Sequence, residues 1–345
     1  MNHRRSRGGY HNWLTSGLLV AGVALACARL RPVPVVPVSA PATGPLAAER
    51  AGVIAGINRA RAAAGLPRLA TDAILERVGN AHCELLLEEG TQGHFSRSGV
   101  PPYLRYFLAG GHGFHRENAA RYSSSATIPE SAVDAILVRS LASMLAEVPP
   151  DDGHRRTVLD PDATNIGIGL AVRGGELRET HELAVEVATE WSAPVAAARP
   201  RSAAALAGAL ARPWRPVVAQ ILWEPLPRPL STGEANAIRA YGYPPPRVTF
   251  AANRPLEPGA GAARGDDVAA PFAVDRFGHF SLKWSTGTGE GVEIAVILAR
   301  RGDDSRLIPV AAAATVVTAA GTLPPELAFW QTEAGPPAPA PGGAT

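Results

Sequence analysis

The period of the hydrophobic pattern changes once along this chain, at about residue 165. Upstream, apolar residues recur every three or four positions in three segments, as on one face of an α-helix. Between residues 165 and 172, isoleucine, leucine and valine instead alternate with glycine and alanine, which is typical of a strand with one large-residue face. Helices followed by paired strands predict an α+β fold in which the helices cover a small antiparallel sheet.

Local signals place the ends of these elements. The helices are predicted over residues 46–65, 71–90 and 129–148, with Thr71 as the N-cap of the second helix and glycine or proline at the C-terminal end of each. A Gly-Gly turn follows the first strand, and a second alternating run continues to Trp191. The second run completes a predicted β-hairpin.

The N-terminus has the features of an export signal. Three arginines precede an apolar stretch over residues 13–26, which is too short to span a membrane but suits a secretory signal. Small residues lead into Cys27, as at a bacterial lipoprotein processing site, so Cys27 is a candidate lipidation site. An ordinary signal peptide cut near Ala26 or Ala28 and an uncleaved anchor are the alternatives. We expect an exported protein, lipid-anchored to a cell membrane or secreted.

Composition shifts divide the chain of 345 residues into segments. An all-β, immunoglobulin-like sandwich is predicted near the C-terminus from short strand-like runs between turn signals. The predicted segments are a signal peptide (1–27), a Pro-rich tether (28–45), the helix and hairpin domain (46–193), a linker with a short helix at 203–210 (194–215), the β-sandwich (216–320) and a disordered tail (321–345).

Charge and cysteine content exclude some classes of function. The net charge is +2, and no basic run is interleaved with aromatic residues, so a nucleic-acid partner is not expected. Only Cys27 and Cys83 are present, which leaves no internal disulfide once Cys27 is processed. Cys83 lies within a predicted helix and is interpreted as a buried apolar residue, not as a nucleophile.

Titratable residues concentrate in the helical part of the chain. Five of the nine histidines lie between residues 82 and 154. His94 follows the second helix, His154 follows the third, and Glu117 lies in the segment that joins them. If these helices pack side by side, two imidazoles and a carboxylate face one cleft, which is adequate for a weak zinc site. Equally, Glu117 could accept hydrogen bonds from loop N–H groups and only fix the joining segment.

Four sequence blocks resemble the signature of the CAP superfamily, the cysteine-rich secretory, antigen 5 and pathogenesis-related 1 proteins. The similarity covers residues 46–193 and is closest to the bacterial branch that lacks cysteines. The blocks are Gly93-His94-Phe95-Ser96, Glu117-Asn118-Ala119-Ala120, His154 to Leu159, and Thr164 to Gly169.

The resemblance implies an α-β-α sandwich with a central cleft, an extracellular location, and two histidines with two acids that can bind zinc or another divalent cation. By this likeness His94 and His154 are the histidines, Glu117 is the first acid and Glu147 the second. Asn118 and His115 are candidate ligand-binding residues. Asn118 could instead stabilise a turn, and His115, with His112, lies in a predicted loop that could gate the cleft.

These features favour an exported, surface-tethered and non-catalytic binding module for a lipid, glycan or protein ligand. The chain has no Gly-x-Ser-x-Gly or His-Glu-x-x-His motif to supply the nucleophile or metal helix of a hydrolase. The alternative is a zinc-dependent hydrolase or peptidase in which His94 and His154 hold the metal and Glu117 activates water. A third hypothesis makes the helical domain a spacer for the sandwich.

Lipid anchoring is tested directly at Cys27. A lipoprotein is expected to incorporate a radiolabelled fatty acid in its producing cell, and Cys27→Ser should remove all of the label because the acylated thiol is lost. The label is read by autoradiography of the purified protein. An unlabelled wild type would mean simple secretion.

Overall fold

The structure, a computed structural model, describes the backbone of residues 33–34 and all of residues 45–253 and 271–332. The predicted signal peptide with Cys27, most of the tether and the tail from residue 333 lie outside the described residues. No helix in the described part combines the length and the apolar character that a membrane span requires.

Seven helices and fourteen strands are present in these ranges. The helices are α1 (Ala47–Ala63), α2 (Ala73–Glu89), α3 (Pro102–Leu108), α4 (Glu130–Leu145), α5 (Gly153–Val158), α6 (Thr232–Ala237) and α7 (Pro325–Thr332). The strands are β1 (Val33–Pro34), β2 (Ala70–Thr71), β3 (Phe114–Ser123), β4 (Asn165–Arg173), β5 (Glu176–Val185), β6 (Ala188–Ser192), β7 (Ala197–Ala198), β8 (Ala203–Leu210), β9 (Trp214–Glu224), β10 (Pro246–Ala251), β11 (Phe272–Val274), β12 (His279–Ser285), β13 (Gly291–Arg301) and β14 (Ile308–Val317).

The N-terminal layer is a four-stranded sheet in the order β2-β4-β5-β3, with helices on both faces. The three predicted helices are confirmed as α1, α2 and α4, although the N-cap of α2 is Asp72, whose side chain accepts from Leu75 N at 2.9 Å, and not Thr71. The predicted hairpin is β4 and β5. The fold class is therefore confirmed for this part of the chain.

The alternation of β4 explains how helices pack on both faces of the sheet. Ile166 and Ile168 are fully buried in the apolar cluster formed with α1 and α4. The alternating glycines, Gly167 and Gly169, face α2. A Cβ added to Gly169 would lie 2.2 Å from the backbone of Gly79. Any side chain at Gly169 would therefore push α2 away from the sheet.

Helix α3, which the sequence analysis missed, joins the two halves of the protein. All of its residues are buried, with Pro102 in its first turn as a start signal that could have been recognised. Its side chains share one apolar cluster with α2 and with residues of β9, β13 and β14, among them Leu222, Val292 and Val316. The helical layer and the C-terminal domain therefore have a common core.

The C-terminal region is all-β, as predicted, and consists of two five-stranded sheets in the orders β1-β6-β8-β12-β11 and β10-β9-β13-β14-β7. The prediction of a linker at residues 194–215 is wrong, because these residues form β7, β8 and the start of β9. Residues 203–210 form a strand between β6 and β12, not a short helix. Pairing on both edges outweighs the helical propensity of its alanines.

The structure also differs from the prediction at both ends of the sandwich. Trp191, assigned to the second hairpin strand, lies in β6 and pairs with Gly208 of β8. Within the predicted tether, β1 pairs with the same strand β6. Residues 321–345 were predicted to be a disordered tail, but they include α7, whose Trp330 is only 2% exposed and packs 5.5 Å from the guanidinium of Arg105.

The shared core predicts that the two halves unfold together. Trp330→Ala is expected to lower the free energy of unfolding by about 3–5 kcal/mol, because it empties a buried aromatic site beside α3. Urea titration followed by circular dichroism should give one transition, shifted as a whole. Phe277→Ala, which removes a side chain that is 58% exposed, is the control and should change stability by less than about 0.5 kcal/mol. Two transitions, of which only one moves, would contradict the common core.

Candidate functional site

The site contains two histidine–glutamate pairs. His94 Nδ1 lies 2.8 Å from Glu117 Oε1, and His154 Nδ1 lies 2.5 Å from Glu147 Oε1. Glu147 also accepts from the backbone N–H groups of His154 (2.9 Å) and Arg155 (3.2 Å). Burial opposes the ionisation of Glu147, but these hydrogen bonds outweigh it and lower the pKa of this carboxyl. Each predicted histidine therefore has its own predicted acid.

Glu117 belongs to strand β3 and not to a loop, and the same correction applies to His115. The Glu117 carboxylate is nearly inaccessible, and its second oxygen accepts from Arg105 of α3 at 2.5 Å. Across the sheet it faces Glu182 of β5. Burial and the carboxylate of Glu182 raise the pKa of Glu117 well above its ordinary value, while Arg105 opposes that rise.

Glu182 is a buried acid that the sequence analysis did not single out. His115 Nε2 lies 2.8 Å from its Oε2. Burial acts to raise the pKa of Glu182, but the hydrogen bond with His115 and the charges of His115 and Arg105 outweigh burial and lower that pKa to about 2. Most residues of β5 before Leu183 are charged or polar, so no local signal in the sequence distinguished Glu182.

His94 is neutral at pH 7. Burial, the charge of Arg105 and the nearby His154 lower the pKa of its imidazole to about 4. The ring is 8% exposed and makes an edge contact with Tyr241, with 4.8 Å between the ring centroids. The neutral ring is positioned by Glu117 on one side and by Tyr241 on the other.

Tyr241 comes from the C-terminal domain. We call residues 225–245, which join β9 to β10, the strap. The Tyr241 hydroxyl accepts from Glu117 N at 2.5 Å, and the Tyr243 hydroxyl accepts from His115 N (3.2 Å) and donates to His115 O (3.1 Å). At its other end, the strap donates from Leu230 N to Arg97 O at 2.8 Å. The strap therefore covers the His94 end of β3.

The four predicted metal ligands do not fit a metal ion as they are arranged. Both oxygens of Glu117 are used by His94 and Arg105, and both oxygens of Glu147 are used by His154 and the backbone. The described residues contain no group of three or more histidine, cysteine, aspartate or glutamate side chains that could hold a metal. Only two imidazoles would remain as donors, which is fewer than protein zinc sites use.

An open groove of about 330 Å³ lies between β3 and α4. Its residues come from β3 and the adjoining β5, from α4, and from the His154–Glu147 pair. They are Ala119, Ala120, Arg121, Tyr122, Ile136, Arg139, Ser140, Ser143, Met144, Glu147, His154, Leu177 and Glu179. The His154–Glu147 pair lies at one end, near Asn118, and Arg121 and Arg139 lie toward the other.

The two predicted ligand-binding residues do not line this groove. Asn118 is buried and donates from Nδ2 to His154 O at 3.0 Å, so it positions the first turn of α5, which carries His154. His115 is fully buried against Glu182. His112, considered as a gate, packs its ring against Trp191 at 5.5 Å.

A polar triplet underlies the groove. Glu179 accepts from Ser140 Oγ at 2.6 Å, and its other oxygen lies 2.8 Å from His181 Nε2. The carboxylate stands between the hydroxyl and the imidazole, so Ser140 does not contact His181 and the three groups are not in the order serine, histidine, acid. The bond from Ser140 to Glu179 ties α4 to β5 beneath the groove.

Comparison with known proteins gives a family for the N-terminal layer. The sequence model of CAP, the Cysteine-rich secretory protein family, matches residues 54–182. Similar solved structures include an outer surface protein from Borrelia burgdorferi (18% identity, 40% of this chain and 93% of that chain, TM-score 0.31). Another is an extracellular protein containing a SCP domain from Bacillus anthracis (19% identity, 40% of this chain and 43% of that chain, TM-score 0.31). None of the curated proteins matches this sequence.

The pKa of His94 predicts a loss of stability in acid. An ordinary histidine pKa of about 6.5 in the unfolded chain and about 4 in the folded protein mean that, between these pH values, only the unfolded chain binds the proton. The free energy of unfolding therefore falls as pH is lowered from about 6.5 to about 4. His94→Gln should reduce this slope by about 1 kcal/mol per pH unit near the middle of the interval.

Urea titrations at several pH values measure this slope. His82, His112 and His115 contribute in the same direction, since burial lowers the pKa of each, whereas Glu117 contributes in the opposite direction. The control is His279→Gln. The pKa of exposed His279 is raised by its hydrogen bond with Asp275, so its effect lies above pH 6.5. An unchanged slope in His94→Gln would show that His94 titrates normally.

Proposed function

Residues 54–182 are a CAP domain, and on this basis we propose that the protein is an exported, surface-tethered binding module. Its ligand is held in the groove between β3 and α4 and leaves chemically unchanged. The observation that carries this proposal is the division of the His/Glu cluster. The His94–Glu117 pair is covered by Tyr241, whereas the His154–Glu147 pair opens into the groove.

The side chains around the groove support binding over hydrolysis. The thiol of Cys83 is fully buried, and burial raises its pKa well above the ordinary value, so it is not a nucleophile. Ser140 donates to a carboxylate that also holds His181. Glu117, the proposed water-activating base of the hydrolase alternative, has both oxygens engaged and no access to the groove. A hydrolase would need to dismantle these contacts first.

The N-terminal segments support export and tethering. The basic residues followed by an apolar stretch suit a secretory signal, and Cys27 follows small residues as in a lipoprotein. Because β1 begins at Val33 and pairs with β6, an anchor at Cys27 would leave only five residues, 28–32, between the lipid and the sandwich, a reach of at most roughly 20 Å. Such an anchor would hold the sandwich close to the membrane surface.

The groove lining supports an elongated ligand. Ala120, Leu177, Ile136 and Met144 give apolar contacts along its length, and its two ends carry different charges. Such a combination of apolar surface and a few polar groups is typical of binding clefts.

Blocking the groove tests the proposed function. In protein isolated from its producing cell, native mass spectrometry should detect a bound ligand in the wild type and lose it in Ser143→Trp, because an indole on exposed Ser143 fills the groove. Val138→Trp is the matched control, since Val138 is on the same helix, is 67% exposed and does not line the groove. The recovered ligand should stay intact on incubation with excess protein. Retention of the ligand by Ser143→Trp, or its breakdown, would refute the proposal.

A further inference from the structure

Strand β3 is an edge of the CAP sheet. Its only strand partner among the described residues is β5, and the sheet order β2-β4-β5-β3 leaves its outer side without a neighbouring strand. An unpaired edge presents a row of backbone N–H and C=O groups that can bond to another chain. What covers these groups therefore decides what β3 can bind.

The two halves of this edge differ in whether their outward backbone groups are hydrogen-bonded. In an antiparallel pair, alternate residues direct their backbone groups outward. His115 and Glu117 are outward-facing, since their N–H groups bond to the hydroxyls of Tyr243 and Tyr241. By the same alternation, Ala119 and Arg121 also face outward, and no hydrogen bond within the described residues involves their backbone groups apart from the strand itself. The strap covers the first half of the edge and leaves the second half open.

The open half of the edge borders the groove. Ala119 and Arg121 line it together with Ala120 and Tyr122, and helix α4 forms the facing wall. Because Asn118 contacts the Sδ of Met144 and Glu179, opposite Ala120, bonds Ser140, α4 runs antiparallel to β3 along the groove. A strand edge beside a helix wall is the arrangement in which proteins take up an extended peptide as an added strand.

Charge distinguishes the ends of this groove. Arg139 of α4 is exposed at the end remote from His154 and forms no salt bridge in the described part of the chain. The side chain of Arg121, like that of Arg178 opposite it, lies on the other face of the sheet. Guanidinium groups bind carboxylates with paired hydrogen bonds. The opposite end carries Glu147 and His154. A ligand with a carboxylate at the arginine end is therefore complementary.

We propose that the groove binds an extended polypeptide segment, whose main chain pairs with Ala119 and Arg121 as a further strand of the sheet. A carboxylate of this segment, from its C-terminus or an acidic side chain, binds Arg139. The inference rests on the proposed function, because it takes the groove as the ligand site. Tyr241 and Tyr243 end the added strand at Ala119, so that the paired segment is short.

A polypeptide suits this groove better than a lipid for a physical reason. An acyl chain lying over the edge would take the N–H and C=O groups of Ala119 and Arg121 away from water without giving them hydrogen bonds. Leaving a buried backbone group without a hydrogen-bond partner is unfavourable. A peptide backbone satisfies these groups and places alternate side chains against Ala120, Ile136 and Met144.

The test uses random hexapeptides with free C-terminal carboxylates, passed over the immobilised full chain. Retained peptides are resynthesised with single N-methyl groups. Alternate residues of a strand direct their N–H groups to opposite sides. N-methylation of a residue whose N–H faces β3 should therefore weaken binding about tenfold or more, whereas N-methylation of a residue whose N–H faces away should have little effect. Amide hydrogen exchange at Ala119 and Arg121 should slow on binding.

Two substitutions at one position separate the backbone from the side chain. Arg121→Pro removes the outward N–H and should abolish binding, whereas Arg121→Ala keeps the N–H and should change binding by less than about twofold. Thermal melts check that both variants fold. If Arg121→Pro does not fold, the N-methyl series on the wild type decides.

The outcomes separate this inference from the proposed function. Strand addition would be overturned, even if peptides bind, if N-methylation had the same effect at every position of the peptide. Equal binding by Arg121→Pro and Arg121→Ala would also overturn it. If no peptide is retained while the native ligand is lost in Ser143→Trp, the groove takes another class of ligand and only this inference fails. If the ligand of the wild type persists in Ser143→Trp, the proposed function fails as well.

Discussion

The buried ion pair between Arg105 and Glu117 connects the parts of the protein that build the site. Arg105 also donates to the carbonyls of His94 (2.9 Å) and Val100 (3.0 Å), and its guanidinium lies over the ring of Trp330. Removing one partner of such a pair leaves the other charge buried and unpaired, which lowers the free energy of unfolding by about 3–5 kcal/mol. The position of His94, the register of β3 and the docking of α7 thus depend on one guanidinium.

This pair also explains why the two halves of the His/Glu cluster differ. Around Arg105 the cluster is buried, covered by the strap and held by hydrogen bonds, so His94 and Glu117 act as a structural unit. His154 and Glu147 lie beyond the strap, where their side chains are partly exposed at the groove. The C-terminal domain therefore decides which half of the edge strand β3 stays open, because the strap covers the other half.

Much of the fold and part of the site could be predicted from the sequence. The periods of α1, α2 and α4 and the alternation in β4 are local signals, and the sequence blocks named the two histidines and the two acids. The structure shows that they form two separate hydrogen-bonded pairs. Residues 203–210 could not be predicted in this way. Their alanines favour a helix, and only pairing with β6 and β12 makes them a strand.

The sequence by itself determined the helices, the hairpin and the presence of a histidine and glutamate cluster, because each depends on residues close together in the chain. The tertiary structure decided which part of that cluster is closed. The bond from Glu117 N to the Tyr241 hydroxyl joins residues 124 positions apart, and no local pattern encodes such a contact. The open edge at Ala119 and Arg121 follows from where the strap ends, which is likewise a consequence of long-range packing.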